Sequence, residues 1–345
     1  MTPDFTDELV DRHLIAASVI PTGNTWLDDA FAGGINKRQL ILVAAKTGVG
    51  KTFFGVQLAR FAAVAGRRVT YFALEAERHE IHRRMIYYEL TSLLAKNFPQ
   101  LKTPRYREWL HAGYSPEWNA LETEVRSRMA IELQTLSVRY QTQVYTAEQF
   151  RKDVDHEVET ATDAERPELI IIDHLHHFFL SSGDENQELK SIIHSIKRLH
   201  DRHQVPIVLL AQLRKNDGGA TNKRSLPMLE DIRGTAALTD VATDALIISG
   251  FPKDRIGELP SNFHNPMFFH LAKSRTAAEA RQFAAVVSFN AREGRYAEEY
   301  LLCKTKLFED PEPALAGDVP AFAKHARKPK LAESYIGKKN FGDAR

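Results

Sequence analysis

The segment Ala45-Lys46-Thr47-Gly48-Val49-Gly50-Lys51-Thr52 sits between two patterned stretches. Before it, Gln39–Ala45 (QLILVAA) is a short apolar, β-branched run that reads as a buried parallel strand. After it, Phe54, Leu58, Phe61 and Ala62 recur with helical spacing over Lys51–Ala65. A glycine loop between a strand and a helix is a phosphate-binding loop, here with Ala45 where the general pattern has glycine. Gly48 and Gly50 let backbone N–H groups curl around phosphates, which also meet the positive end of the following helix. Lys51 is expected to reach the β- and γ-phosphates and the Thr52 hydroxyl to ligate Mg²⁺. The chain should therefore bind a nucleoside triphosphate with Mg²⁺.

The same alternation continues outward. Arg68–Leu74, Leu169–Ile172 with Asp173, Val205–Gln212, Ala245–Ser249, Pro266–Ala272 and Ala284–Asn290 read as strands. Glu77–Leu94 and Leu189–His203 read as helices between them. Repeated β-α-β units imply an α/β fold, a mostly parallel twisted sheet with helices on both faces. Residues 95–165 interrupt the pattern and read as helical decoration, with helices near Ser115–Met129 and Ala147–Ala161. The expected organisation is a segment 1–19 with a short amphipathic helix over residues 3–17, a nucleotide-binding domain 20–308, and a basic, flexible tail 309–345. From Lys324 that tail carries seven Lys/Arg against Glu333 and Asp343; contact with nucleic acid or a partner and a functionless solvated tail are equally open.

Composition excludes several classes. The 345 residues are 43% hydrophobic, 26% charged and 9% aromatic, as in a folded soluble protein. No run approaches the roughly 18 apolar residues that span a bilayer. The acidic, polar start (MTPDFTDELVDRH) is neither a signal nor a transit peptide, so a cytoplasmic location is expected. Cys303, the single cysteine, excludes an internal disulfide and a multi-cysteine zinc site. The 46 basic and 45 acidic residues give a net charge of +1, so any contact with nucleic acid must be local.

Two acids complete the candidate site. Asp173 ends the run Leu-Ile-Ile-Ile and can hold the Mg²⁺ shell. Glu75 ends the strand after the loop's helix, which brings it to the edge of a parallel sheet where ligands collect. From there it could polarise an attacking water, with Glu77 as its rival and a surface glutamate as the plain alternative.

Together these residues resemble the C-terminal motor domain of DnaB-family replicative helicases, within the RecA-like P-loop ATPases. The resemblance runs from about residue 20 to 300, beginning at Ile20-Pro-Thr-Gly23 with Leu27-Asp28-Asp29. It takes in the phosphate loop, where the family also commonly has Ala at the position of Ala45. Ala73-Leu74-Glu75 is similar to a Ser-Leu-Glu segment whose glutamate activates water. Ile172-Asp173-His174-Leu175 is similar to the Walker B strand, with His174 and His176 departing from the usual Tyr-Leu-Gln continuation. Ala211-Gln212-Leu213 resembles the strand end whose glutamine senses the γ-phosphate. Asp231-Ile232-Arg233 resembles an Asp-Leu-Arg element, with Gly234 in place of the usual glutamate. Lys273-Ser274-Arg275 resembles the Lys-Gln-Arg motif whose lysine and arginine reach a neighbouring subunit's ATP.

The resemblance implies an ATP-hydrolysing DNA helicase or translocase on single-stranded DNA, assembled head to tail as a homo-hexamer or spiral. In such rings the loops after two of the strands face the pore. Here they are the acidic Ser181–Asn186 and the basic stretch from Arg214 to Arg224, where Arg214, Lys215, Lys223 and Arg224 would contact the phosphate backbone. A mobile surface loop is the alternative. The helix over 3–17, with Phe5, Leu9 and His13 on one face, would dock on the next subunit. Fewer than 20 residues precede the core, so the family's collar domain is expected to be absent. A phage, plasmid or other mobile element is then the expected source, with a replication initiator, a loader or another mobile-element protein as candidate partners. The competing reading is a RecA/KaiC-like ATPase that acts as a switch or scaffold without unwinding.

Overall fold

The computed structural model describes residues 6–111, 116–140, 146–162, 164–175, 178, 185–214, 226–233, 236–261, 263–290, 295–305, 312–313 and 318–327. One ten-stranded sheet organises them. In chain order its strands are β1 (Leu40–Ala45), β2 (Val69–Ala73), β3 (Leu136–Tyr140), β4 (Leu169–Asp173), β5 (Ile207–Gln212), β6 (Asp244–Gly250), β7 (Met267–Ser274), β8 (Phe283–Asn290), β9 (Arg295–Lys304) and β10 (Glu312–Pro313). Their spatial order is β10-β9-β8-β7-β6-β1-β5-β4-β2-β3. The six strands from β6 to β3 run parallel; the four from β7 to β10 are antiparallel to their neighbours.

The helices are α1 (Thr6–Ala17), α2 (Thr25–Ala30), α3 (Lys51–Val64), α4 (Glu80–Asn97), α5 (Tyr106–His111), α6 (Pro116–Glu132), α7 (Ala147–Thr160), α8 (Glu185–His203) and α9 (Ala236–Val241). They cover both faces of the sheet, because successive residues of a strand point to opposite sides. Ile41, Val43 and Ala45 face one core with Val56, Leu58 and Ala59 of α3 and Leu90 and Leu94 of α4. Leu40, Leu42 and Ala44 face the other, with Val154 and Val158 of α7 and Ile192, Ile196 and Leu199 of α8. A Cβ at Gly55 would lie 2.9 Å from Leu210 Cδ1 and 3.1 Å from the Tyr71 hydroxyl, so glycine there lets α3 settle close on the sheet. That fixes where the helix begins, directly above the ends of β1 and β5.

Most expected elements occur, with ends shifted by a few residues. Three differences matter. The stretch 95–165, read as helical, also contains β3, an edge strand paired in parallel with β2. Arg295–Lys304, not assigned from sequence, is the longest strand and pairs with β8. Residues 318–327 lie within the stretch expected to be a flexible tail, yet they pack on the body. Phe322 packs tilted against Trp26 with ring centroids 6.0 Å apart, and the Arg327 amide donates to the Tyr300 carbonyl at 2.8 Å. The anchor is Asp29, a buried carboxylate that accepts from the Tyr300 hydroxyl (2.6 Å), the His325 amide (2.9 Å) and His325 Nδ1 (3.0 Å). Residues 328–345 lie outside the described residues.

The helix expected over 3–17 is α1; Phe5 lies outside the described residues. Asp11 ties it to the body through Lys37 (3.2 Å) and Arg38 (2.7 Å), while Leu9, Val10 and Leu14 are exposed. No helix among the described residues is long and apolar enough to cross a membrane.

Candidate functional site

Four strand ends meet at one edge of the sheet. Strand register sets Ala45 beside Gln212 and Ala73 beside Asp173. The Leu74 amide donates to the Asp173 carbonyl at 2.7 Å, so Glu75 and His174 follow side by side. The phosphate loop fills the gap above them. Gly48 (φ 81°) and Gly50 (φ 108°) adopt left-handed backbone that a side chain would strain, and Gly50 caps α3. A Cβ on Gly48 would meet nothing within 4 Å, so the loop is open at that residue.

The charges beneath the loop are buried together. Lys51 is 8% exposed and Asp173 2%. Burial lowers the Lys51 ammonium to about 8, against the upward pull of the Asp173 and Glu75 carboxylates. Burial likewise raises the Asp173 carboxyl, opposed by Lys51, by the Tyr71 hydroxyl that donates to Oδ2 at 2.8 Å, and by the Thr52 hydroxyl. Tyr71 is itself pushed well above the ordinary phenol value, by burial and then by Asp173. The other carboxylate oxygen, Asp173 Oδ1, is buried without a hydrogen-bond partner.

An orphan carboxylate oxygen next to a threonine hydroxyl, below an open glycine loop at a helix N-terminus, fits a magnesium–triphosphate pair. Lys46, Thr47, Gly48, Val49, Gly50 and Lys51 would line the phosphates after Ala45, and Thr52 and Asp173 would hold the metal. Among the described residues Asp155, Glu159 and His203 also converge. Arg202 already bridges that pair of acids, at 3.6 and 2.5 Å, and offsets one of their two charges.

Glu75 and Gln212 flank this centre. The Glu75 side chain is 51% exposed, and its Oε2 lies 3.7 Å from His174 Nε2. Gln212 reaches the same ring nitrogen at 2.6 Å. Glu77, the rival base, is largely solvent-exposed and lies 4.0 Å from Arg83.

Lys273 and Arg275 are elsewhere. β7 runs antiparallel to β6, so its end returns to the opposite edge: Lys273 pairs with Ala245, and the Arg275 amide donates to Thr243 at 3.2 Å. Ala45 lies beside Ile248 and Ile41 beside Asp244, four residues apart and so about 13 Å. Neither cation serves the phosphate loop of its own chain. Lys273 Nζ donates to the last carbonyls of α9, Thr239 and Asp240; burial and then Arg275 lower its ammonium. Arg275 is exposed. A buried carboxylate, Asp244, holds this corner. It accepts from Ser274 (2.5 Å), Thr276 (3.2 Å), Thr243 (2.7 Å) and Gln39 (3.1 Å).

Of the expected nucleic-acid contacts, Arg214 is exposed and its amide donates to the Asp231 carbonyl at 2.7 Å. Lys215, Lys223 and Arg224 lie outside the described residues, as do His176 and Gly234. The Asp231–Arg233 element folds against the same strand end: Ile232 bridges Leu213, and the Arg233 amide donates to the Gln212 carbonyl at 2.8 Å. Sequence reading noted His174 only as a departure and missed Tyr71 and Asp244. Only the pairing of β2 with β4, and of β6 with β7, brings those residues to the site and to its opposite edge.

A family model described as the DnaB-like helicase C terminal domain matches residues 19–300. The replicative DNA helicase DnaB of Nostoc sp. is 30% identical over 238 residues, which are 67% of this chain and 24% of that protein. The replicative DNA helicase DnaB of Geobacillus stearothermophilus is 27% identical over 281 residues, 79% of this chain and 55% of that protein. The chain thus spans about a quarter and about half of these relatives' lengths. Among solved structures, a DnaB-like replicative helicase, described with its interactions with primase, superposes with a TM-score of 0.65 at 16% identity, covering 86% of this chain and 67% of that one. The fold is that of the RecA-like ATPase cores expected from the sequence.

Proposed function

Since the chain belongs to the DnaB-like helicase C-terminal domain family, we propose that it is an ATP-driven DNA helicase or translocase that moves on single-stranded DNA as a head-to-tail homo-hexamer or short spiral. The observation that carries this reading is the division of the chemistry between two edges of one sheet. Lys51, Thr52, Asp173, Glu75 and Gln212 lie at one; Lys273 and Arg275 lie at the other. Such halves complement each other only across a contact between neighbours. A head-to-tail contact of that kind closes into a ring or opens into a spiral.

Lys51 and the loop amides bind the β- and γ-phosphates, and Thr52 and Asp173 ligate Mg²⁺, which supplies charge neutralisation when bound. Glu75 takes a proton from the attacking water as its oxygen bonds to the γ-phosphorus and the bond to the leaving ADP oxygen breaks. Gln212 hydrogen-bonds the γ-phosphate. Lys273 and Arg275 of the adjoining subunit stabilise the charge that develops there. Arg214, Lys215, Lys223 and Arg224 track the DNA backbone, and the exposed Leu9, Val10 and Leu14 of α1 dock on the next subunit.

The test is the ATP hydrolysis rate with and without single-stranded DNA, with Lys51→Ala as the blank. Stimulation of about tenfold, abolished in the variant, is expected for a residue that binds phosphate directly. Steady hydrolysis indifferent to DNA would favour a nucleotide switch or scaffold instead. Deleting residues 1–19 should lower the oligomer mass in solution; an unchanged mass would remove the docking role of α1.

A further inference from the structure

The strand that carries Lys273 and Arg275 changes phase just before them. Leu271 pairs with Leu246 and Lys273 with Ala245, so Ala272 is an extra residue bulged out of the β6–β7 ladder. A one-residue slip exchanges the two faces for the residues that follow it. It sets Lys273 on the face of α9, where its Nζ donates to the Thr239 carbonyl, and brings Ser274 opposite Asp244. Ser274 and Thr276 then donate to one atom, Asp244 Oδ1, at 2.5 and 3.2 Å. The residues on either side of Arg275 are thus tied to a single buried carboxylate oxygen. The buried Gln39 braces the pair from behind, donating to Asp244 Oδ2 (3.1 Å) and to Thr276 Oγ1 (3.2 Å). Arg275 between them is exposed.

We propose that Asp244 is a positioning residue for the charge passed between subunits: by clamping Ser274 and Thr276 it fixes the backbone from which Arg275 reaches the neighbouring nucleotide. β7 ends at Ser274. Beyond it the Arg275 amide still donates to the Thr243 carbonyl at 3.2 Å, and the carboxylate holds the rest. Such anchoring matters because a charge displaced by about 1 Å from the reacting group can cost 10²-fold in rate. The inference rests on the role proposed above for Arg275. Asp244 lies level with Ile41, four residues and so about 13 Å along β1 from Ala45. Its loss should therefore leave nucleotide binding by its own subunit in place and impair only what that subunit delivers.

The experiment is steady-state ATP hydrolysis by the full chain, with direct binding of a fluorescent ATP analogue, for Asp244→Asn, Thr276→Val and Thr276→Ser. Each is measured alone and mixed with Lys51→Ala or with Arg275→Ala. Asp244→Asn should lower kcat by about 10²-fold and Thr276→Val by about tenfold, both with analogue binding within about twofold of wild type. Thr276→Ser, which keeps the hydroxyl, should recover most of the Thr276→Val loss. Mixing Asp244→Asn with Lys51→Ala should restore part of the rate, because the Lys51 variant keeps an intact delivering edge. Mixing it with Arg275→Ala, which lacks the same half, should restore none. Thr276→Val, at an exposed position, carries the test should Asp244→Asn fail to fold. A kcat within about twofold of wild type in either variant overturns the proposal. So does a loss of analogue binding in both, which marks a merely structural corner, or a mixture with Lys51→Ala that stays inactive where Arg275→Ala with Lys51→Ala recovers. If that last pair does not recover either, the head-to-tail reading itself fails and takes this proposal with it, a result distinct from the others.

Discussion

The two edges of the sheet carry charge in opposite ways. At the phosphate-loop edge a lysine and an aspartate are buried against each other, both displaced from their ordinary titration ranges. At the other edge the cation that projects, Arg275, is exposed, and the buried carboxylate Asp244 is saturated by four side-chain donors. The first arrangement is incomplete by itself, with an orphan oxygen on Asp173 and an open loop. The second is complete internally and only holds a charge outward. A receiving site stores unfavourable desolvation that a ligand relieves; a delivering site needs rigidity instead.

The strongest way to break the comparison is to remove the charge that the proposed function delivers to a neighbouring subunit. Arg275→Ala should lower ATP hydrolysis by about 10³-fold with ATP affinity nearly unchanged. Mixing it with Lys51→Ala, which is also inactive, should restore part of the rate, because some junctions then join an intact receiving half to an intact delivering half. Glu75→Gln comes next: kcat should fall by about 10²-fold, with tight ATP binding by fluorescence titration. Asp244→Ala leaves four donors facing a void and should destabilise the chain by about 3 kcal/mol in urea unfolding, while Asp244→Asn should cost less.

The smallest expected effect is on pH. On the proposed function, charged Lys51 is the form that binds phosphate, and bound phosphate would raise its pKa above the free value of about 8. ATP affinity should therefore be flat below pH 7.5 and weaken above pH 8, approaching about tenfold per unit. Lys51→Arg, charged throughout that range, should flatten the profile whatever its absolute affinity.

What the sequence discloses follows the same division. The receiving edge is legible because its chemistry lies in short contiguous pieces: a glycine loop, an apolar strand ending in Asp173, another ending at Glu75. The delivering edge is legible only as the pair Lys273 and Arg275. The Asp244 corner joins residues from 39 to 276 through strand register, which no local pattern encodes. β3 escapes for a different reason. LSVRY is a half-exposed edge strand among helices, without the continuous apolar run that marks the interior strands. β9 places Glu298 and Glu299 side by side in mid-strand, which breaks the alternation a reader looks for. The Asp29 anchor hides the ordered part of the tail, since nothing near His325 announces a partner almost 300 residues away.

The sheet's two halves also differ in how far along the chain their pairs must search. From β6 to β10, every strand lies beside the one that follows it. From β6 to β3, β4 still meets β5 and β2 meets β3, but β1 pairs with β5 and β6 some 160 to 200 residues later. Loop closure must precede those parallel pairings, whereas the antiparallel strands can zip in order. The phosphate loop, set between β1 and its two remote partners, thus takes its shape only once the slow half is closed. Nucleotide binding should be among the last properties the chain gains as it folds.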